Sequence, residues 1–205
     1  MSGPHEQMEH AEHAEHASHG GNKKIALLIS VLALFLAFSE TLGKSAQTAA
    51  ITDNVAANDL WAFYQAKHIR GTILRTGAEQ MQIEADRATD PATKARLAKT
   101  AKDWVETAKR YDDDPKGGEG RKQLMAKAQA AEHKRDVDMA RYHNYEFASA
   151  AFQIGIVLAS AEVITGMVIL GWLSGALGIA GLGLTSLGLW APHALDFLMH
   201  ASGGH

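Results

Sequence analysis

Apolar positions run together at the two ends of this chain and become periodic between them. From Ile25 to Phe38 the sequence IALLISVLALFLAF holds nothing more polar than Ser30, and carried on to Leu42 it makes 18 residues, about 27 Å of helix at roughly 1.5 Å per residue. Lys23 and Lys24 precede it, as basic residues would in a signal peptide. Ahead of them, however, lies a 22-residue acidic, His-rich tail, and Ser39-Glu40-Thr41 offers no small-residue cleavage site. The pattern predicts an uncleaved transmembrane helix over 23–43. A second stretch, 148–170, is interrupted only by Gln153 and Glu162, with Tyr142, Tyr145 and Phe147 placed where an interfacial belt would sit. A third, 176–190, follows a turn around Gly171–Gly175 and is short for a span. The 148–191 pair is therefore either a full membrane hairpin or one with a re-entrant second limb. Residues 192–205 form a C-terminal tail.

Between these ends the period changes. Residues 44–88 lack Pro and place apolar residues at 51, 55, 62, 69 and 73, a spacing that suits one helix face. Asp90-Pro91 supplies a stop and a new start, because Asp caps helix N-termini and Pro fits the first turn. A helix to about residue 111 follows, then a break at Asp112-Asp113-Asp114-Pro115-Lys116-Gly117-Gly118, then helix again from Glu119 into the second span. The outgoing segment 44–88 is about as long as the returning 91–111 and 119–147 together, so 44–147 folds back on itself, with facing residue numbers totalling about 190. The 112–118 break then lies opposite 72–78, close to Gly71 and Gly77, where the arm either flexes or is merely interrupted. The fold class expected is all-α: an integral membrane protein with two to three transmembrane helices and a long extramembrane antiparallel helical hairpin, a coiled-coil-like arm.

Charge sharpens this division. Of the 20 Lys and Arg, 18 lie between Lys44 and Arg141, which leaves 25–43 and 142–205 without a basic group. The middle, 44–146, balances 18 basic against 16 acidic residues. No basic face of the kind that neutralises phosphates results, so nucleic acid is not an expected partner. With no Cys in the chain, disulfides, thiolate metal sites and thiol catalysis are excluded. The chain also lacks a nucleophile elbow, a phosphate loop and a dinucleotide fingerprint, and no enzyme activity is expected.

Four features carry candidate chemistry. His10, His13, His16 and His19 recur every third residue in the tail 1–22, read as disordered, and with Glu6, Glu9, Glu12 and Glu15 could close around Zn, Ni or Cu or simply remain solvated. Glu162 falls in the middle of the second apolar stretch, where a carboxylate is costly and faces protein or water. Depth counted from the arm side makes Ser30, and Ser160 on its own helix, its natural partners, while Glu40 is too shallow to reach. A ring of Glu162 could handle protons or cations; a protonated Glu bonding to a neighbouring helix is the alternative. Gly171, Gly175, Gly178 and Gly181 allow close helix packing, between subunits or within one. The Trp61, Phe63 and Tyr64 cluster lies too far past the membrane edge for a belt, and by register it faces Met125–Gln129, as arm packing or as a partner contact.

The segment from Asp59 to Ile69 (DLWAFYQAKHI) resembles the most recognisable stretch of an uncharacterised bacterial membrane family, the domain-of-unknown-function 4337 family. The His-rich tail, Glu40 before a Ser/Thr/Ala-rich stretch, and FQIGIVLAS over 152–160 ahead of a Gly/Leu-rich end are similar to family members too, so the likeness covers nearly the whole chain. It implies no activity. Relatives often carry basic residues in the loop between the last two membrane helices, which would place that loop in the cytoplasm; Gly171–Gly175 has none.

The expected function is a non-enzymatic scaffold or docking protein, multi-pass in the bacterial inner membrane. It would contact lipid, form a homo-oligomer through its Gly/Ala-rich membrane helices and offer its arm to an unidentified protein partner. The alternative is an ion, proton or metal handling oligomer built on Glu162 and the His tail. Lys23 and Lys24 against Lys44 alone place the tail in the cytoplasm and the arm in the periplasm. Lys127, Lys134, Arg135 and Arg141 argue the other way.

Overall fold

A computed structural model describes the backbone of residues 4–194 and the side chains of residues 23–194. Four helices follow one another: α1 (Pro4–Arg87), α2 (Pro91–Asp112), α3 (Arg121–Thr165) and α4 (Val168–Trp190). No strand occurs among the described residues. The breaks have local causes. The Asp90 carboxylate accepts from the Thr93 N–H at 2.9 Å and from its hydroxyl at 2.6 Å, which caps α2, while Pro91 takes the first helical position. After α2, the Asp114 carboxylate accepts from the Gly117 N–H at 3.0 Å. Gly118 turns the chain at φ 68° while its N–H reaches the Asp114 carbonyl at 2.7 Å.

The last break differs from the expectation. The chain turns at Gly166, not at Gly171–Gly175, and α4 runs straight through the latter segment. Gly166 adopts φ 70° and donates its N–H to the Glu162 carbonyl at 2.8 Å, a left-handed helix ending that glycine takes without steric cost. Helix α3 therefore stops five residues earlier than expected. The final apolar helix gains residues 168–175, and its 23 residues extend about 35 Å at roughly 1.5 Å per residue. α1, α3 and α4 are each long and apolar enough to cross a membrane.

The chain divides into two compact units, Ala50–Asp136 and the remainder, Met1–Ala49 with Val137–His205. In Ala50–Asp136 the buried positions are small. α1 buries Ala50, Ala57, Ala78 and Ala85 together with Gly71, at spacings of seven or its multiples. Ala101 and Ala108 of α2 and Leu124, Ala128 and Ala131 of α3 are the buried apolar residues of the other two helices in this unit. Ala and Gly let helix backbones approach closely. Four larger apolar side chains of α1 point outward instead, with Ile51, Val55, Ile69 and Ile73 between 54% and 64% exposed. The face that the apolar spacing picked out is thus an outer face of this unit.

In the other unit Leu32, Ala148 and Phe152 form a buried cluster against Phe35, Leu36, Ile156 and Leu184, with the Phe35 and Phe152 rings stacked at 6.1 Å. α4 lays a small-residue seam on this cluster: Ser174, Gly178, Gly181, Thr185 and Gly188 are its buried residues. The Ser174 hydroxyl donates to the Gly155 carbonyl of α3 at 2.7 Å, and the Ser39 hydroxyl of α1 to the Tyr145 carbonyl at 3.1 Å. These bonds satisfy hydroxyls that no water reaches.

Candidate functional site

Glu162 stands in the last turn of α3, three residues before its end at Thr165. The earlier turn thus removes it from the middle of an apolar helix and sets it near one end. Its carboxylate lies against Gly171, so closely that a Cβ there would collide with it. Around it a cavity of about 410 Å³ is lined mainly by apolar residues of α1 and α4, Leu28, Trp172 and Ile179 among them, with Lys24 also in the wall. The expected hydroxyl partners are engaged elsewhere. Ser30 donates to the Ala26 carbonyl at 2.9 Å and Ser160 to the Ile156 carbonyl at 2.8 Å, each on its own helix. Such back-bonding to the residue four earlier is the default for a hydroxyl on an apolar helix.

Of the four glycines expected to pack helices, three are used inside the chain. Gly171 accommodates Glu162, Gly178 lies under Leu32, and Gly181 lies under the Phe152 ring, 2.7 Å from where a Cβ would be. Gly175, like Gly183, has open space around it. A polar contact without a sequence signal lies toward the other end of this unit: Gln153 donates to the Glu40 carboxylate at 3.3 Å. The two border a cavity of about 440 Å³ with Lys44, Tyr142 and Glu146. In the sequence Gln153 interrupts an apolar stretch and Glu40 is a shallow carboxylate, and nothing in the linear spacing pairs residues more than a hundred positions apart.

In the Ala50–Asp136 unit the aromatic cluster is held from within the chain. The Trp61 indole N–H donates to Glu132 Oε1 at 2.9 Å, and its ring meets Tyr64 edge-on at 5.4 Å. Arg121 donates to the Tyr64 hydroxyl at 2.8 Å, stacks its guanidinium 4.8 Å over that ring, and donates to Asp112 Oδ1 at 3.0 Å. Arg75 also pairs with Asp112. Burial by itself would raise the Asp112 pKa, but hydrogen bonds and charge from Arg75 and Arg121 outweigh it and hold the carboxyl below its ordinary range. Phe63 stays 37% exposed, with the Lys67 ammonium 5.2 Å from its ring centre. The cluster thus faces residues 121–132, a wider range than the expected Met125–Gln129. Its cation, Arg121, sits beside a loop, where apolar periodicity gives no signal.

Among the described residues no group of three or more His, Asp or Glu side chains is placed to hold a metal ion. His10, His13, His16 and His19, with the rest of the 1–22 tail, lie outside the described side chains.

No curated protein and no solved structure matches the chain. The family described as "Domain of unknown function (DUF4337)" matches residues 21–191. That range takes in all three apolar helices and the whole Ala50–Asp136 unit, and the chain belongs to this family.

Proposed function

We infer that the protein is a non-enzymatic scaffold of a bacterial inner membrane, anchored by α1, α3 and α4, which self-associates through those helices and presents residues 44–147 as an extramembrane arm for docking. One observation carries this reading. Only 11%, 28% and 22% of the residues in the most apolar windows of α1, α3 and α4 are buried, so most of their apolar surface faces outward, where lipid or further copies would cover it. Gly175 and Gly183, open to their surroundings on α4, are the positions where a second copy could approach closely.

Ion handling is the second reading, favoured by one observation: Glu162 lines a largely apolar cavity together with Lys24. Against it, the carboxylate packs beside Gly171 of the same chain, a contact between α3 and α4 that needs no ion. Glu162→Gln and Glu162→Leu separate the two. On the scaffold reading both variants keep the oligomer, read as its mass in detergent, because the Glu162 contact lies within one chain. Robust wild-type proton or cation flux in liposomes, abolished by Gln with the oligomer intact, overturns the scaffold reading.

A further inference from the structure

The outward face of α1 in the Ala50–Asp136 unit has an order of its own. Ile51, Val55, Asn58, Ala62, Gln65 and Ile69 follow one another in alternating steps of four and three, the heptad spacing that winds two helices around one another. All six are exposed, Ile51 and Ile69 each at 59%, and Ile73 continues the apolar edge at 64%. From Ile51 to Ile73 the strip covers about 33 Å at roughly 1.5 Å per residue. It is separate from the small-residue seam of Ala50, Ala57, Ala78 and Ala85 that holds the unit together.

We propose that this strip is the seam along which α1 of one chain pairs with α1 of a second copy, parallel and in register. The proposal rests on the reading that α1 leaves the membrane and continues into the arm, because two copies anchored in one bilayer then carry their strips in the same direction at the same height. Charge identifies the occupant as a second copy. In a parallel in-register pair each core position of the seam meets its own equivalent, so a charged residue there would face its own charge. Lys67, Arg70 and Arg75 lie on other faces of α1, Asp59 flanks the strip four residues after Val55 as Ile73 does after Ile69, and the six heptad positions from Ile51 to Ile69 carry no Asp, Glu, Lys or Arg. Its two polar members suit self-pairing too. Asn58 facing Asn58 of the second copy, and Gln65 facing its equivalent, can each donate and accept, whereas a shifted register would set them against Ile or Val without a partner.

The absence of native Cys makes the test direct. Full-length Ile69→Cys, reconstituted in liposomes and treated with a short bis-maleimide, is expected to give covalent dimer at least about tenfold faster than Ala56→Cys, which is exposed on another face. That ratio corresponds to roughly 1.4 kcal/mol of preference for one face. Mixing Ile51→Cys with Ile73→Cys chains is expected to give no mixed product, because in register the two sites are about 33 Å apart. Ile69→Glu, at a site exposed enough to leave the fold intact, is expected to lower Ile51→Cys cross-linking about tenfold. Equal cross-linking at 56 and 69, or mixed 51–73 product, overturns the proposal. An oligomer by mass that fails to cross-link at 69 overturns the arm pairing while leaving membrane self-association standing; a monomer by mass overturns both.

Discussion

Gly77 of α1 lies directly beneath the indole of Trp104 of α2: a Cβ on Gly77 would fall 2.7 Å from Cζ3 and 3.1 Å from Cε3. Six residues earlier Gly71 is buried, yet its nearest neighbours, Arg75 Nη1 and the Tyr111 Cβ, would stand 3.9 and 4.0 Å from an added Cβ, an ordinary contact. α1 passes through both without a break. Their identical composition hides opposite packing. Gly71→Ala is expected to stabilise the protein by about 0.5–1 kcal/mol through helix propensity. Gly77→Ala is expected to destabilise it, since forcing a large ring aside costs about 1–3 kcal/mol, more than propensity returns. Denaturant unfolding followed by far-UV circular dichroism checks both. A Gly77→Ala protein as stable as Gly71→Ala would show that Trp104 is not held against α1.

Asp112 predicts an acid limit for the same unit. Burial pushes its pKa up, the Arg75 and Arg121 hydrogen bonds and charges push it down, and the balance lies below the unfolded value, which is about 3.9. A carboxyl lowered in the folded state stabilises it above the unfolded pKa and loses that contribution as pH falls through the folded pKa. Stability should therefore drop as pH falls below about 4, and Asp112→Asn should flatten the drop. Because the carboxylate is 36% exposed, solvent screening limits the contribution lost on acidification to about 1 kcal/mol or less. Identical pH slopes for wild type and Asp112→Asn would remove Asp112 from the account.

The Trp61 to Glu132 hydrogen bond, 2.9 Å between residues 71 positions apart, ties α1 to α3. Trp61→Phe and Glu132→Ala, measured singly and together by thermal unfolding, should show a coupling of about 1 kcal/mol. Additive effects would mean that the indole packs there without the bond.

On α4 the glycines should separate by position. Gly181→Ala drives a methyl into the Phe152 ring and should cost about 1–3 kcal/mol of stability. Gly175→Leu meets open space within the chain and should leave the fold intact while reducing oligomer mass in detergent, if copies approach there. Unchanged mass would move the intersubunit contact to another face.

The sequence by itself determined where helices can exist and most of where they stop. Asp90 with Pro91, and the Asp112–Gly118 run, end helices through caps and turns built from neighbouring residues, so the signal and its effect occupy the same few positions. The apolar runs likewise announced three helices able to cross a membrane, by length and composition alone. Gly166 was harder to read. A glycine in an apolar run ends a helix, as Gly166 does at φ 70°, or seats a neighbour inside one, as Gly178 and Gly181 do, and the letters are the same. Only the tertiary structure chose between these uses, and in doing so it moved Glu162 from the middle of a helix to its last turn. The tertiary structure also decided which face of α1 is inside. Apolar periodicity ranks positions by side-chain size and hydrophobicity and so selected Ile51, Val55, Ile69 and Ile73. The packed seam instead uses Ala50, Ala57, Gly71, Ala78 and Ala85, because close approach of two backbones rewards the smallest side chains, and that distance is a property of two helices together.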